Sequence, residues 1–387
     1  MDVRSASGNR LQVEVVTRVE DFRRLEPAWT RLFEATSTRL PFATYDWAAA
    51  WWVHFSRRLG LAMRDELAVR VVTVPGGDVV GIAPMMRTFR PGVGPVKTRE
   101  LHFFGADHNL TELRTVICAD EHAPAVYAAL ARHFAECTGE RDWLYWTHVP
   151  ATVASALESL PGLEWETELP NYLLPLAADW ETFKGGLKRN VRESLRKCYN
   201  SPKRDGIEFS FHALAAVEDM PPAIDHLVRL HGARADLEDT VKHANVFHTA
   251  TSRRFFVDVV RRLAAKGQAR AFQLRLGERV IATRFGFLFG DVLYLYYSGY
   301  EPDFGKYSVM TTCVAEALKW AIERRVKHVN LSVGNDVSKT RWGPIEVMYR
   351  TALSISPTLR SKLALAVFDQ ANALARHPML RQHLMRR

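Results

Sequence analysis

The residues most able to do chemistry fall in four short clusters. "EPDFGKYS" (301 to 308) follows the strand-like run "DVLYLYYSGY" and opens the helix-like run "VMTTCVAEALKWAIERR". Gly305, Lys306, Tyr307 and Ser308 thus stand at a strand-to-helix turn. Free backbone N–H groups, the positive end of the helix dipole and one cation there suit a pyrophosphate. An ordinary turn with a capped helix would read the same way. "KTRW" supplies Lys339, Arg341 and Trp342, a set that suits an anionic or sugar-like acceptor through charge and stacking, or a surface ion-pair patch with Trp342 in the core. "GADHNLTEL" puts Asp107, His108 and Asn109 in a turn after a strand, where they could line a cleft between domains.

The fourth cluster is "LKRNVRESLRK". From 184 to 204 eight Lys or Arg face one acid, Glu193, in a chain whose formal net charge is +9, so the positive balance is largely local. Leu187, Val191, Leu195 and Cys198 or Tyr199 recur at helical spacing, leaving the basic residues on the other faces. Such a helix fits nucleic acid, an anionic membrane surface, a phosphorylated ligand, or plain solvent.

Several chemistries drop out. There is no GxSxG or HExxH, and no GxxxxGK[ST] or GxGxxG phosphate loop. Cys118, Cys137, Cys198 and Cys313 are scattered without metal-ligand spacing, which predicts reduced thiols and no metal. The N-terminus has no apolar signal core, and "WAAAWWV" is far too short to span a bilayer, so a cytoplasmic chain is expected.

At 387 residues the chain is long for one core, and its parts repeat. "LAVRVVTVPGGDVVGIAPMMR" (67 to 87) and "ARAFQLRLGERVIATRFGFLF" (269 to 289) each read as strand, tight Gly turn, strand. A helix at about 124 to 137 and the strand "DWLYWTHV" follow the first; a helix at about 307 to 325 and "KHVNLSV" follow the second. Two helical segments precede each hairpin, so the order ααβββαβ occurs twice, with "LPGLEWETELPNYLLPL" (160 to 176) as the joint. Three units are expected: 1–165, 166–357 and a helical tail at 358–387.

These segments together resemble the BioF2-like or CelD-like acyltransferases of the GNAT superfamily. In the second half the likeness rests on "LKRNVRESLRK", "LVRLHGARAD", the meander from "FQLRLGERV" to "DFGKYS", and "HVNLSVGNDVSKTRWG". In the first it rests on "LPFATYDWAAAWW", "VVGIAPMM" and "LHFFGADHNLTEL". Where the family has Tyr-Ser-Pro-Gly this chain reads Tyr307-Ser308-Val309-Met310, without the Pro or the Gly; Gly334, Asp336 and Lys339 keep three positions of the later motif.

The resemblance implies a mixed α/β fold of tandem GNAT-like domains, the second catalytic and the first acceptor-binding or structural. It implies acetyl-CoA or another acyl-CoA as donor, and an amine or hydroxyl of a small molecule or a sugar or polysaccharide precursor as acceptor. The donor would lie between the fourth and fifth strands of the second unit, near 291–298 and 327–333. Asp336, just past the fifth strand, is then the first candidate for base or ammonium ligand, unless it only closes an Asx turn. His231 is the second, unless it is a core histidine. Tandem GNAT-like domains with a basic helix between them also resemble Fem-type aminoacyl-tRNA-dependent peptide ligases, which makes tRNA the alternative partner. A degenerate, non-catalytic pair acting as a binding module is the non-enzyme alternative.

Overall fold

The computed structural model describes residues 10–57, 63–91, 97–107, 109–237 and 244–376. The first half runs β1 (Gln12–Val16), α1 (Val19–Arg24), α2 (Glu26–Ala35), α3 (Tyr45–Phe55), β2 (Arg64–Leu67), β3 (Val69–Thr73), β4 (Val79–Ala83) and β5 (Met85–Pro91). It continues through β6 (Lys97–Phe103), β7 (Ile117–Cys118), α4 (Ala123–Glu136), β8 (Trp143–Pro150) and β9 (Leu163–Pro175). The second half runs α5 (Trp180–Gly186), α6 (Arg189–Arg204), β10 (Ser210–Leu214), α7 (Met220–Ala235), α8 (Ala250–Ala265), β11 (Ala269–Leu276), β12 (Arg279–Phe289) and β13 (Val292–Tyr300). Then come α9 (Val309–Glu323), β14 (His328–Val333), α10 (Val337–Thr340), β15 (Ile345–Ile355) and α11 (Leu359–Arg376).

Local signals account for many of these elements. Thr44 caps α3 by accepting the Trp47 N–H at 3.2 Å, and Trp47 and Trp51, one turn apart, are buried. In α6 the buried residues are Val191, Leu195, Cys198 and Pro202, a single stripe that packs on α9 while Arg189, Arg192, Arg196 and Lys197 face solvent. The hairpin at 64–91 breaks at Ala68 and Pro84. Its inner part (β2, β5) joins the large sheet and its outer part (β3, β4) the small one.

The strands form a four-stranded sheet, β1-β3-β4-β7, and an eleven-stranded sheet, β10-β11-β12-β13-β14-β9-β15-β8-β6-β5-β2. All pairings in the large sheet are antiparallel except two, β13 with β14 and β6 with β8, which hold the same place in each half. The segment expected to be the joint is β9, a thirteen-residue strand. It pairs with β14 and β15 of the second half, while β15 pairs with β8 of the first. The halves therefore share one sheet rather than meeting at a linker.

Their packing is shared too. Trp47 of α3 stacks edge-on against Phe255 of α8 (5.3 Å) and Tyr296 of β13 (5.9 Å), and Phe42 against Tyr294 of β13 (5.3 Å). An interface this apolar resists rigid-body motion of one half against the other. α11 lays Phe368 against Trp143, 5.2 Å between ring centres.

Candidate active site

β13 and β14 are ladder neighbours over three pairs only, Val292 with His328, Leu293 with Val329 and Tyr294 with Asn330. Both strands then bend. β13 bulges at Tyr296 and Tyr297, two residues opposite Phe285 of β12. β14 slips against β9 between Asn330 and Val333, where Ser332 takes φ 74°, a left-handed conformation that costs about 1–3 kcal/mol in a residue with a Cβ. Buried Asn330 exchanges amide hydrogen bonds with Asn171 of β9 (2.9 and 2.8 Å) and accepts the Ser332 N–H at 2.9 Å. This pair holds β14 to β9 as its end turns away from β13, and a gap opens between them.

Two cavities occupy the gap. The first, about 270 Å³, lies at the start of α9 and is lined by Gly305, Ser308, Met310, Thr311, Arg341 and Trp342 among others. The second, about 510 Å³, lies between the halves, and its lining includes Glu112, Arg114, His148, His231, Tyr297 and Asp336. Arg234, Arg284, Ser298, Ser338 and Lys339 line both, so the two are ends of one cleft.

At the first end, Ser308 takes φ 55° and ψ 40°, turning the chain sharply into a fifteen-residue helix in which Thr311 and Thr312 N–H donate to the Ser308 carbonyl (2.8 and 3.2 Å), leaving the N–H groups of Val309 and Met310 at the helix start. The positive end of the α9 dipole and Arg341, which donates to Thr311 Oγ1 at 3.5 Å, make this end suited to an anion.

At the second end the central group is Glu112, carried by the first half. Its carboxylate accepts hydrogen bonds from the Tyr294 hydroxyl of β13 and from Ser332 Oγ of β14 (3.2 Å). Lys339 Nζ donates to Ser332 Oγ at 3.4 Å and to the Val333 carbonyl, which joins Lys339, Ser332 and Glu112 in a chain. Burial pushes the Glu112 carboxyl above its usual range, although the Tyr294 and Ser332 bonds and the Lys339 charge pull the other way. Burial likewise depresses Lys339.

Cations crowd this end. Arg114, Arg234 and Arg284 each have a pKa lowered by burial. The Nε atoms of Arg114 and Arg284 are buried without a hydrogen-bond partner among the described residues. His148 sits at φ 57° in the corresponding bend of β8, where its Nδ1 accepts the Arg114 N–H at 2.9 Å. Burial and the Arg114 charge push its pKa down to about 3. The neutral ring therefore carries its proton on Nε2 and acts as a donor.

The expected site residues divide accordingly. Gly305, Ser308, Lys339, Arg341 and Trp342 line the first end, with Trp342 also buried in the core at 3% exposure. Lys306 and Tyr307 do not line it. Lys306 Nζ lies 5.0 Å over the Tyr307 ring, and the Tyr307 hydroxyl donates to Asp205 at 2.9 Å, so Tyr307 fastens the loop to the C-terminal end of α6.

Asp336 lines the second end but caps α10, accepting the Ser338 N–H at 2.7 Å. Burial raises its pKa, but the Ser338 bonds with the Lys339 and Arg234 charges outweigh that and hold it below the usual range, which makes it a weak proton acceptor. His231 also lines this end, but its ring nitrogens face the Ser298 and Ala244 carbonyls at 3.0 and 3.2 Å. A neutral ring has one N–H to give, so it can donate to only one of these carbonyls at a time. Asp107 lines neither end. It accepts from Thr111 N–H (3.0 Å), Thr111 Oγ1 (2.6 Å) and Trp51 Nε1 (3.0 Å), bonds that shape its own loop. His108 lies outside the described residues.

Sequence reasoning missed Glu112, Arg114, His148, Arg234 and Arg284. Two carried a signal: Arg284 is a lone charge inside the apolar strand "VIATRFGFLF", and Glu112 is the one acid in the run "LTEL". Among the described residues no group of His, Cys, Asp and Glu is arranged to hold a metal ion, and no helix is long and apolar enough to cross a membrane.

Comparison with known proteins agrees with this arrangement. No curated protein matches the sequence. The crystal structure of FemX is similar with a TM-score of 0.57 at 10% identity, over 88% of this chain and 96% of that one. A conserved protein of unknown function from Bacteroides thetaiotaomicron VPI-5482 is similar with a TM-score of 0.53 at 11% identity, over 89% of this chain and 100% of that one. At such identities the likeness is one of fold. Residues 189–340, from α6 to the end of α10, match the family model of the acetyltransferase (GNAT) domain. The likeness to the acetyltransferase (GNAT) domain therefore covers residues 189–340, within a mixed α/β fold whose two halves share one sheet.

Proposed function

We propose that the protein transfers an acetyl or longer acyl group from acyl-CoA to an amine or hydroxyl of a small molecule or sugar precursor, as its resemblance to BioF2-like and CelD-like acyltransferases implies. The observation that carries this is the meeting of the two cavities between the parted strands. One end suits a phosphorylated donor and the other an acceptor, so the reacting groups would come together at Ser298, Ser338 and Lys339.

In this proposal the donor's pyrophosphate sits at the start of α9, near Ser308 and Arg341, and its thioester lies along β13. Beyond Tyr294, β13 has no ladder partner on the β14 side, so backbone N–H groups there can stabilise the oxyanion. Glu112 takes the proton from the acceptor's ammonium or hydroxyl. The freed lone pair attacks the thioester carbon and the C–S bond breaks; the thiolate leaves and takes up the second proton shed by an amine nitrogen or, for a hydroxyl acceptor, a proton from solvent. Asp336 orients α10 and Lys339. We assign the domains as 1–165, acceptor-binding or structural, and 166–357, donor-binding, with a helical tail from 358 on, of which 377–387 lies outside the described residues.

One observation favours a second donor. The basic face of α6 is exposed, and neither Arg189, Arg192, Arg196 nor Lys197 lines the cleft. A polyanionic carrier such as an aminoacyl-tRNA could rest there, with the ester of its terminal ribose in place of the thioester. Calorimetric titration with CoA, acetyl-CoA and octanoyl-CoA, beside filter binding of bulk tRNA, tests both. Acyl-CoA transfer predicts CoA binding of about −4 to −8 kcal/mol, which is millimolar to micromolar. Tight tRNA binding without CoA binding would replace it, and binding of neither would refute an enzymatic donor site.

A further inference from the structure

We infer that the acceptor is itself an anion, a molecule bearing a carboxylate or phosphate beside its reacting amine or hydroxyl, held at the floor of the second cavity by Arg114, His148 and Arg284. This rests on the acyl-transfer proposal for what happens at the other end of the cleft, but its own footing is separate. Arg114 and His148 line the second cavity and not the first, so a donor's phosphates at α9 do not account for them.

Charge balance points the same way. Arg114, Arg234, Arg284 and Lys339 line the second cavity, and the carboxylates lining it are Glu112 and Asp336. Glu112 is engaged by Tyr294 and Ser332, and Asp336 by Ser338. Asp107, the acid whose charge acts most on Arg114, is engaged by Thr111 and Trp51. Neither Arg114 nor Arg284 enters an ion pair among the described residues, and the Nε of each is buried without a partner. Both residues are half-buried, and Arg284 also donates from one terminal nitrogen to the Leu295 carbonyl at 3.4 Å; a guanidinium withdrawn from water without a counter-charge is costly, and its planar donor edge matches carboxylate and phosphate oxygens. His148 adds a neutral N–H donor, because its Nδ1 is already taken by the Arg114 backbone.

Glu112 then sets the polarity of the acceptor. An anionic group at Arg114 and Arg284 places the rest of the molecule toward the Glu112 carboxylate, where an ammonium or hydroxyl would be received. The geometry fits a short zwitterion or hydroxy acid better than a neutral sugar.

The test titrates the full chain with inorganic phosphate and, in a separate arm, with glutarate, at fixed ionic strength, following heat and thermal shift. Saturable binding in either arm is expected, and the tighter arm names phosphate or carboxylate as the anchor. Arg114→Gln should weaken it about tenfold or more, the scale of a lost charge-assisted hydrogen bond. Arg254→Gln, on the exposed face of α8 and lining neither cavity, should leave it unchanged and controls for general charge. If Arg114→Gln fails to fold, protection of Arg114 from phenylglyoxal by the bound anion, mapped on the unaltered chain by mass spectrometry, takes its place. The inference is overturned if neither anion saturates, if binding survives Arg114→Gln, or if Arg254→Gln weakens it equally. CoA titrated into the same preparation separates the two proposals: anion binding without CoA binding rejects the donor and keeps the anionic subsite, and the reverse rejects the subsite alone.

Discussion

Replacing Glu112 with Gln removes the charge of the proposed base while keeping its shape. In the native site the carboxylate accepts from the Tyr294 hydroxyl and from Ser332 Oγ. The amide oxygen can keep one of these bonds, and the other hydroxyl must turn to accept from the new NH₂. Each such bond contributes about 1 kcal/mol net, so the exchange alone changes stability little.

Ionisation adds a term of opposite sign. Because the folded pKa of Glu112 is raised by burial, its ionised form costs stability, and that cost is absent below the unfolded pKa and grows as pH rises through the folded value. Glu112→Gln should therefore match the native chain in acid and gain on it toward neutral pH.

Catalysis should move the other way. Loss of a general base costs about 10²- to 10⁴-fold, or roughly 3 to 5 kcal/mol of barrier. The assay is thiol release from acetyl-CoA, with water or an added amine as acceptor, read against pH. In the native chain the rate should fall toward acid with a midpoint above the usual glutamate range, and this limb should vanish in the variant. Equal rates and equal pH profiles, with donor binding intact, would refute the assignment of Glu112.

Asp336→Asn should lower turnover by less than about tenfold, since the amide oxygen still caps α10 and a cap contributes only about 1 kcal/mol; a hundredfold loss at unchanged KM would return the base to Asp336. Gly299→Ala should destabilise the fold by about 1–3 kcal/mol or more in chemical denaturation. A Cβ there would lie 2.3 Å from His231 N and 2.4 Å from the Leu230 carbonyl carbon, both backbone atoms of α7. An unchanged midpoint would mean that α7 is free to lift from β13.

The periodic parts of the chain were legible because their signals are local. The meander at 269–300, the helix after it and the strand "KHVNLSV" stand within a few residues of where turn chemistry and spacing put them. The exchange of β9 and β15 was not legible, since pairing Tyr349 with both Leu169 and Pro150 leaves no mark on neighbouring residues. The same holds for the site. Asp336 and His231 were found by residue type, but their roles are decided by partners, the Ser338 N–H for one and two carbonyls for the other. Glu112 meets Tyr294 and Ser332 across separations of 182 and 220 residues, which no motif records.

That separation also explains why the two halves share a sheet and an aromatic core. Glu112 must be held over a gap between strands that belong to the other half, and a loop alone would not hold it. The segment carrying it is fastened from both sides. Trp47 of α3 donates to Thr111 Oγ1 at 3.0 Å, while Tyr296 and Tyr297 of β13 donate to the carbonyls of Leu110 and Asn109 at 2.5 and 2.9 Å. The bulge that parts β13 from β14 therefore does two things at once: it opens the cleft, and it aims two hydroxyls at the loop that brings in the acid. Residues 189–340 contain most of the proposed donor end of this cleft, short of Arg341 and Trp342, but not Glu112, Arg114 or His148. A fragment of that length would keep the helix terminus and lose the acceptor end, so the first half contributes to the site as well as to the packing.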